Sequence, residues 1–455
     1  MRLTGFRLVA ISSLIWAAAA SGATRPRYGG TLHIAMRAAP LSLDPAELNS
    51  PDWFGSQNLF RLVFDTLVAL DEQGRPQSAL ATSWQAEPGN QRWQFSLRRG
   101  VTFSDGSPVT PDSVAASLRK VNPSWKVFSD GDAVVVERDS PIPDLPAELA
   151  LLRNSIVKRE AARIAGTGPF AVSQWDRGKK ILLAARGDYW GSRPFLDAIE
   201  IELGKSLRDQ MISFDLGKNQ VIEVAPEQMH TATAEGGRVE SSASLELFAL
   251  VFSRDPQSPE DAKQRQAFSL SIDRDLLNTV VLRGAGEPAG ALLPNWISGY
   301  SFVFPTSANL ALARQLRSEI PHSTVWTLAY DPTDPVAQVI AERIALNARD
   351  TGLGLQITSA SSADLRLVRV PLVSLDAGVA LSELAAPLAV PPVKPGSSSA
   401  EDLYGAETKL LQSQRIVPLL HLRTAWARSG TVRNWDEARD GSWPLTSVWL
   451  APEQP

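Results

Sequence analysis

The side chains that most often carry out catalysis are sparse in this chain. Its four histidines, His33, His230, His322 and His421, lie far apart in the sequence, and cysteine is absent. A thiol nucleophile is therefore excluded, and neither the H-E-x-x-H nor the G-x-S-x-G motif of hydrolases occurs. His33 and His421 fall within predicted strands, where a hydrogen-bonded structural histidine is the more common case.

Glycine-rich and acidic segments add no stronger signal for catalysis. The segment 284–288, Gly-Ala-Gly-Glu-Pro, lacks the Lys-Ser/Thr pair of a phosphate-binding loop and the strand–turn–helix context of a dinucleotide site. The 49 acidic residues mark out no acid and base, because the separation of such a pair is a three-dimensional quantity. We therefore predict that the protein is not an enzyme. A secreted hydrolase that uses an Asp/Glu pair remains the alternative.

The first 23 residues have the three parts of an export signal. Arg2 and Arg7 precede an apolar stretch over residues 8–20, and small residues follow at 21–23. The apolar stretch is shorter than the roughly 20 residues that a membrane-spanning helix needs. We expect residues 1–23 to be a cleavable signal peptide and the product to be periplasmic. Because the chain has no cysteine, a lipid-modified amino terminus is excluded.

The charge of the processed chain argues against nucleic acid as a partner. Removal of the signal leaves 43 basic and 49 acidic residues, a formal net charge of −6. The charges are spread along the chain, and aromatic residues are not interleaved with basic clusters. A nucleic-acid-binding surface would need such a basic stripe.

Strand-like and helix-like segments alternate along the chain, which is typical of the α/β class. The clearest helix is predicted from Pro335 to Asp350 and ends before Gly352, with one apolar face formed by Val336, Val339, Ile340, Ile344 and Leu346. The segment 384–399, rich in Pro, Ala and Ser, is interpreted as an exposed connection. More than 400 residues after processing predict two or three lobes.

The stretch 93–119 combines strand, turn and helix signals in register. Residues 93–103 have strand alternation, and Asp105-Gly106 with the following Ser-Pro predicts a tight turn. Thr110 is the predicted N-cap of a helix that begins at Pro111 and ends near Lys120.

This stretch and several others resemble one family in their order along the chain. The others are 29–32 (Gly-Gly-Thr-Leu), 42–45 (Ser-Leu-Asp-Pro), 59–68, 166–170 (Gly-Thr-Gly-Pro-Phe), 188–191 (Asp-Tyr-Trp-Gly), 195–199 and 265–274. Together they resemble the extracellular solute-binding proteins of family 5, the peptide- and nickel-binding receptors of bacterial ABC importers.

The resemblance implies a periplasmic binding protein-like α/β fold of type II, cluster C-like. Two large lobes would be joined by a hinge, with a smaller subdomain inserted into the first. On this chain, residues 24–69, 166–250 and 429–455 would form lobe I, 70–165 the inserted subdomain, and 251–428 lobe II. Closure would then be a rigid-body hinge motion.

The resemblance also implies where a ligand binds. In the family, the cleft is lined by the segment after the first strand, by aromatic residues of the second lobe and by a late carboxylate that meets the ligand's ammonium group. Here these places correspond to Asp52, Trp53 and Phe54, to Trp296, and to Asp376. The alternative for the first segment is an N-capped helix start followed by two core aromatics.

The chain departs from the family where specificity is usually determined. Peptide receptors of this type carry a Trp and an Asp-Tyr-x-Asp-Pro run late in the second lobe, whereas residues 365–377 here retain only Asp376. Direct nickel binding is disfavoured, since imidazole ligands are few and thiolates absent.

The sequence therefore predicts a monomeric subunit of an ABC importer without cofactor or metal. It would bind a small peptide or similar polar solute and deliver it to permease subunits. A sensor relative with no transport role is a further alternative.

Overall fold

The computed structural model describes residues 25–47, 52–160, 163–229, 238–360, 362–393, 395–436 and 438–452. The predicted signal peptide, residues 1–23, lies outside them. Among the described residues, no helix is long and apolar enough to cross a membrane. The helices, in chain order, are α1 (Trp53–Val63), α2 (Pro111–Val121), α3 (Leu145–Glu148), α4 (Leu207–Asp215), α5 (Pro259–Ser271), α6 (Arg274–Leu276), α7 (Asn295–Ser298), α8 (Leu310–Ser318), α9 (Pro335–Asp350), α10 (Ala377–Glu383) and α11 (Ala400–Gln412).

The strands alternate with these helices, which confirms the α/β class. In chain order they are β1 (Thr31–Ala35), β2 (Val68–Leu70), β3 (Pro76–Ser78), β4 (Ala81–Ala86), β5 (Arg92–Leu97), β6 (Lys126–Asp130), β7 (Ala133–Glu137), β8 (Lys158–Glu160), β9 (Arg163–Ala165), β10 (Phe170–Asp176), β11 (Lys180–Ala185), β12 (Ala198–Glu202), β13 (Val221–Val224), β14 (Arg238–Phe252), β15 (Gly286–Pro288), β16 (Trp326–Ala329), β17 (Leu355–Thr358), β18 (Leu365–Pro371), β19 (Ile416–Arg428), β20 (Val432–Arg433) and β21 (Trp449–Leu450).

One large sheet runs through most of the molecule. In the described part of the chain its order is β10-β11-β12-β1-β13-β19-β14-β18-β16-β17, with β15 paired to β19. Strands β14 and β19 are long and antiparallel, and β19 pairs with β13 at its far end. β4, β5, β7 and β6 form a separate four-stranded sheet. The two long strands therefore connect the two ends of the large sheet.

Separate apolar cores lie around these sheets. One packs β1, α1, β11 and β12 and contains Leu32, Phe60 and Ile199. We call its surroundings the first lobe. A second core packs the four-stranded sheet against α2 and defines the insert; cores on both sides of β14 and β18 define the second lobe. The predicted residue boundaries of the lobes stay a prediction.

Local sequence signals account for two of the helices. The Thr110 hydroxyl accepts a hydrogen bond from the Ser113 amide at 3.2 Å, and α2 begins at Pro111 as predicted. Helix α9 has the predicted bounds, and Gly352 follows it at a φ of +80°, which favours glycine. The predicted apolar face is wrong at Val339, whose side chain is about half exposed. Ile340 and Ile344 are buried.

The interpretation of 384–399 as an exposed connection is wrong for its first half. Leu384, Ala385, Leu388 and Val390 are buried in a core of the second lobe. The Pro, Ala and Ser content predicted exposure, but burial of these apolar side chains stabilises the folded state. From residue 391 onward the described residues of this segment are mostly exposed.

Candidate functional site

Two cavities between the lobes lie toward opposite ends of helix α1. The larger, here called the central cavity, has a volume of about 410 Å³ and is lined by Arg61 and Asp65, by Leu70 of the insert, and by residues 372–375 of the second lobe. The smaller, here called the charged cavity, has a volume of about 90 Å³ and is lined by Asp52, Trp53 and Phe54 at the start of the helix. Helix α1 therefore presents its two ends to two parts of one interlobe cleft.

The start of α1 carries the first set of predicted ligand-binding residues. Asp52 occupies the N-cap position, but its side chain makes no capping hydrogen bond. It forms an ion pair with Arg37 instead, at 3.0 Å between Oδ1 and Nη2. Trp53 and Phe54 are partly buried and meet edge to face at 5.2 Å. The structure thus brings all three residues to the charged cavity, and the alternative of an N-capped helix with core aromatics does not describe them.

Two arginines dominate the charged cavity, one from each lobe. In the first lobe, Arg37 lies between Asp52 and Glu223, with Nε 3.0 Å from Glu223 Oε2. In the second lobe, Arg369 lies between Glu246 and Asp334, with Nε 2.9 Å from Glu246 Oε2 and Nη1 3.0 Å from Asp334 Oδ2. Each of these two arginines therefore holds two carboxylates at the gap between the lobes.

The pKa shifts in the charged cavity follow from this pairing. Burial disfavours the charged form of Arg369, but Glu246 and Asp334 outweigh burial and raise its pKa. For Arg37 the balance is similar: burial opposes the charge, Glu223 and Asp52 raise the pKa, and Arg369 across the cleft lowers it. Burial raises the pKa of Glu223, since Arg37 only partly offsets the loss of water. The two arginines thus interact across the interlobe gap.

The charged groups of the central cavity also have partners. Arg61 forms an ion pair with Asp440. Burial opposes ionisation of Asp440, but Arg61 is close enough to lower its pKa. Asp65 accepts hydrogen bonds from Tyr189 Oη at 3.2 Å and Trp190 Nε1 at 2.8 Å, and burial raises its pKa. This cavity accordingly presents charges that are already satisfied by the protein.

Asp376, the predicted late carboxylate, begins helix α10. Its Oδ1 accepts a hydrogen bond from the Val379 amide at 2.9 Å, as an N-cap does. Burial raises the pKa of Asp376, and the nearby Asp144 of the insert adds to the increase. Residues 372–375 line the central cavity, whereas Asp376 is on the lining of neither cavity. Its role as a ligand anchor stays a prediction.

Trp296, the predicted aromatic of the second lobe, lies on α7. Its Nε1 donates to the Ser244 carbonyl oxygen of β14 at 3.2 Å, and the side chain is partly buried. It is not on the lining of the central or the charged cavity. A contact between Trp296 and a ligand also stays a prediction.

The sequence reasoning missed the arginines of the cleft. Arg369 lies in the middle of strand β18, among residues that alternate toward a buried core. A charged residue within such a strand is usually paired when it is partly buried, and this signal would have indicated a site at Arg369. Arg37 gave a weaker signal, because it follows β1 in an irregular segment and its partner Glu223 is 186 residues away.

Comparisons with known proteins agree with this architecture. The family model for bacterial extracellular solute-binding proteins, family 5 Middle, matches residues 75–378. The probable D,D-dipeptide-binding periplasmic protein DdpA of Escherichia coli is 22% identical over 304 residues, 59% of this chain and 58% of the relative. The chain spans less than two thirds of the length of this relative and of two other curated relatives.

Solved structures of low sequence identity share the fold. NikA from Brucella suis in complex with Fe(III)-EDTA has a TM-score of 0.79 and 19% identity, covering 93% of this chain and all of that one. AppA from Bacillus subtilis, solved with a nonapeptide, has a TM-score of 0.72 and 17% identity, covering 94% of this chain and all of that one. The predicted periplasmic binding protein-like fold is confirmed.

Proposed function

Because the chain belongs to the bacterial extracellular solute-binding proteins of family 5, we propose that it is the substrate-binding subunit of an ABC importer. It captures a small peptide or a similar polar solute and delivers it to permease subunits of the inner membrane. The observation that carries this proposal is the central cavity of about 410 Å³, to which both lobes and the insert contribute. Ligand sites commonly have volumes of about 300–1,000 Å³.

The ligand contacts follow from the lining of the cleft. Trp443 lines the central cavity and supplies it with an aromatic wall. Asp52, Trp53 and Phe54 supply a carboxylate and two aromatic walls at the other end of α1. Trp296 and Asp376 remain candidates in the second lobe.

The proposed mechanism is a population shift and involves no reaction. A ligand that contacts both lobes stabilises the closed arrangement, and the permease then binds that arrangement. The alternative of a hydrolase gains no support from the central cavity. Among the described residues, the two carboxylates that line this cavity have protein partners: Asp440 is paired with Arg61, and Asp65 accepts hydrogen bonds from Tyr189 and Trp190.

The proposal includes export to the periplasm as a monomer. Cleavage after residue 23 leaves Thr24 at the amino terminus without a lipid anchor. Amino-terminal sequencing of the exported protein checks this step. Retention of Met1 on a membrane-bound product contradicts it.

Native mass spectrometry of the exported protein tests the function. We expect a non-covalent adduct that is released on denaturation and identified from its mass. Absence of an adduct, together with no thermal shift from di- and tripeptide mixtures, contradicts the proposed ligand class. Loss of uptake of the identified solute on deletion of the gene separates transport from a sensor role.

A further inference from the structure

The insert contacts the second lobe directly beside the central cavity. Residues 372–375, which line the cavity, lead into Asp376 and helix α10. At the end of this helix, Glu383 pairs with Arg153 of the insert through two bonds, Nη1 to Oε2 at 2.6 Å and Nη2 to Oε1 at 3.0 Å. Bidentate pairs of this kind fix orientation as well as distance.

Arg153 is also held from within the insert. Glu148 lies on the insert side, with its Oε1 2.5 Å from Arg153 Nη2. The guanidinium therefore has a partner in its own lobe that orients it toward Glu383. A pre-oriented group loses less conformational entropy when it binds its second partner.

The same contact includes an apolar cluster and a close backbone approach. Ala147 and Leu151 of the insert pack with Val379 of α10 in a buried cluster. Near the start of the helix, Gly74 lies against the Leu375 carbonyl. A Cβ at position 74 would be 2.3 Å from that oxygen, and Gly74 has a φ of +76°. Only glycine permits this approach.

We propose that Arg153 is a positioning residue that, through Glu383 and α10, holds the 372–375 wall of the central cavity against the insert. The insert is then a third closing surface of the cleft, beside the two lobes. That this contact shapes a ligand site rests on the proposed function. The contact between the insert and α10 can itself be measured without a ligand.

Distance measurements by electron paramagnetic resonance test the proposal on the full chain. The chain has no cysteine, so Gln94→Cys in the insert and Lys409→Cys in the second lobe, both exposed, give a single pair of spin labels. In the ligand-free protein we expect a population at the distance of the docked arrangement. Loss of this partly exposed ion pair in Glu383→Gln should lower that population about two- to fivefold.

Two matched controls isolate the contact. Glu319→Gln removes an ion pair of similar exposure within the second lobe, with Lys263, and should leave the distances unchanged. Gly74→Ala should abolish the docked population, whereas Gly89→Ala, at a φ of +94° with nothing near its Cβ, introduces the same backbone strain without the clash. Thermal unfolding confirms separately that each variant is folded.

The outcomes distinguish this proposal from the proposed function. Wild-type distances in folded Glu383→Gln and Gly74→Ala overturn the positioning role of Arg153, even if a ligand has been identified by mass spectrometry. Loss of the docked population in both variants, with wild-type distances in both controls, supports the role whether or not a ligand is found.

Discussion

Asp52 forms an ion pair with Arg37 at 3.0 Å and leaves the first amide groups of helix α1 without a side-chain cap. Aspartate commonly caps the start of a helix, but the carboxylate of Asp52 pairs with Arg37 in the irregular segment after β1 instead. Helix α1 therefore begins without a side-chain cap, and its first two residues, Trp53 and Phe54, line the charged cavity. The cleft is built from charges that are paired within each lobe.

The pairing of Arg369 predicts a large loss of stability on its removal. In Arg369→Met, Glu246 and Asp334 would lose their shared partner. Because the arginine side chain is 26% exposed, we expect a loss of about 3 kcal/mol, the lower end of the cost of breaking a buried pair. Urea unfolding measures this cost. The control is Arg423→Met, which lines the same cavity but pairs with Glu287 at 3.3 Å with both side chains nearly half exposed. We expect at most about 1 kcal/mol there. Equal losses in the two variants would contradict the account of Arg369.

His421 predicts a pH dependence of stability in the acid range. Its Nε2 lies 3.0 Å from the Leu292 carbonyl oxygen, and burial lowers its pKa to about 4. Between pH 6.5 and pH 4, His421 is protonated in the unfolded chain but stays neutral in the folded protein. The free energy of unfolding therefore decreases as the pH falls. At pH 4 the protonation of His421 in the unfolded chain lowers the free energy of unfolding by about 3 kcal/mol.

His421→Gln should remove this part of the pH slope. Glu407 holds the Leu293 amide and Tyr300, and burial raises its pKa, so its own contribution favours the folded state as the pH falls. The difference between wild type and variant isolates the histidine. Parallel stability curves for the two proteins from pH 7 to pH 4 would show that the histidine does not carry the slope.

The capping role of Asp376 predicts different stabilities for its Asn and Ala variants. Asn also caps helices, so Asp376→Asn should keep the stability of wild type or raise it at pH 7, because it removes a buried charge whose pKa is raised. Asp376→Ala removes the bond to Val379 and should cost about 1 kcal/mol. Thermal unfolding at pH 7 checks both. A loss in the Asn variant as large as in the Ala variant would argue against the capping role.

Local signals in the sequence were sufficient for much of the fold. The cap at Thr110 and the periodicity of 335–350 each involve neighbouring residues, and both helices form where predicted. Val339 and the segment 384–390 differ because burial depends on what packs against an element. That information lies elsewhere in the chain.

The site was less predictable for the same physical reason. Asp52, Trp53 and Phe54 were found by their place in the family order, and they do line the cleft. The other ion pairs of the charged cavity join distant positions: Glu223 contacts Arg37 across 186 residues, and Glu246 contacts Arg369 across 123. No local pattern couples such positions. A carboxylate that caps a helix and one that binds a ligand also look alike in sequence, as Asp376 illustrates.

Calorimetric binding of the copurified ligand to a cavity-filling variant tests the central claim most directly. Ala150 lines the central cavity, and Ala150→Trp should fill part of its volume. The matched control is Ala311→Trp, at an exposed position of α8. We predict that Ala150→Trp weakens binding at least about tenfold, or 1.4 kcal/mol, whereas Ala311→Trp binds as wild type does. Wild-type affinity in a folded Ala150→Trp protein would contradict the assignment of the central cavity as the ligand site.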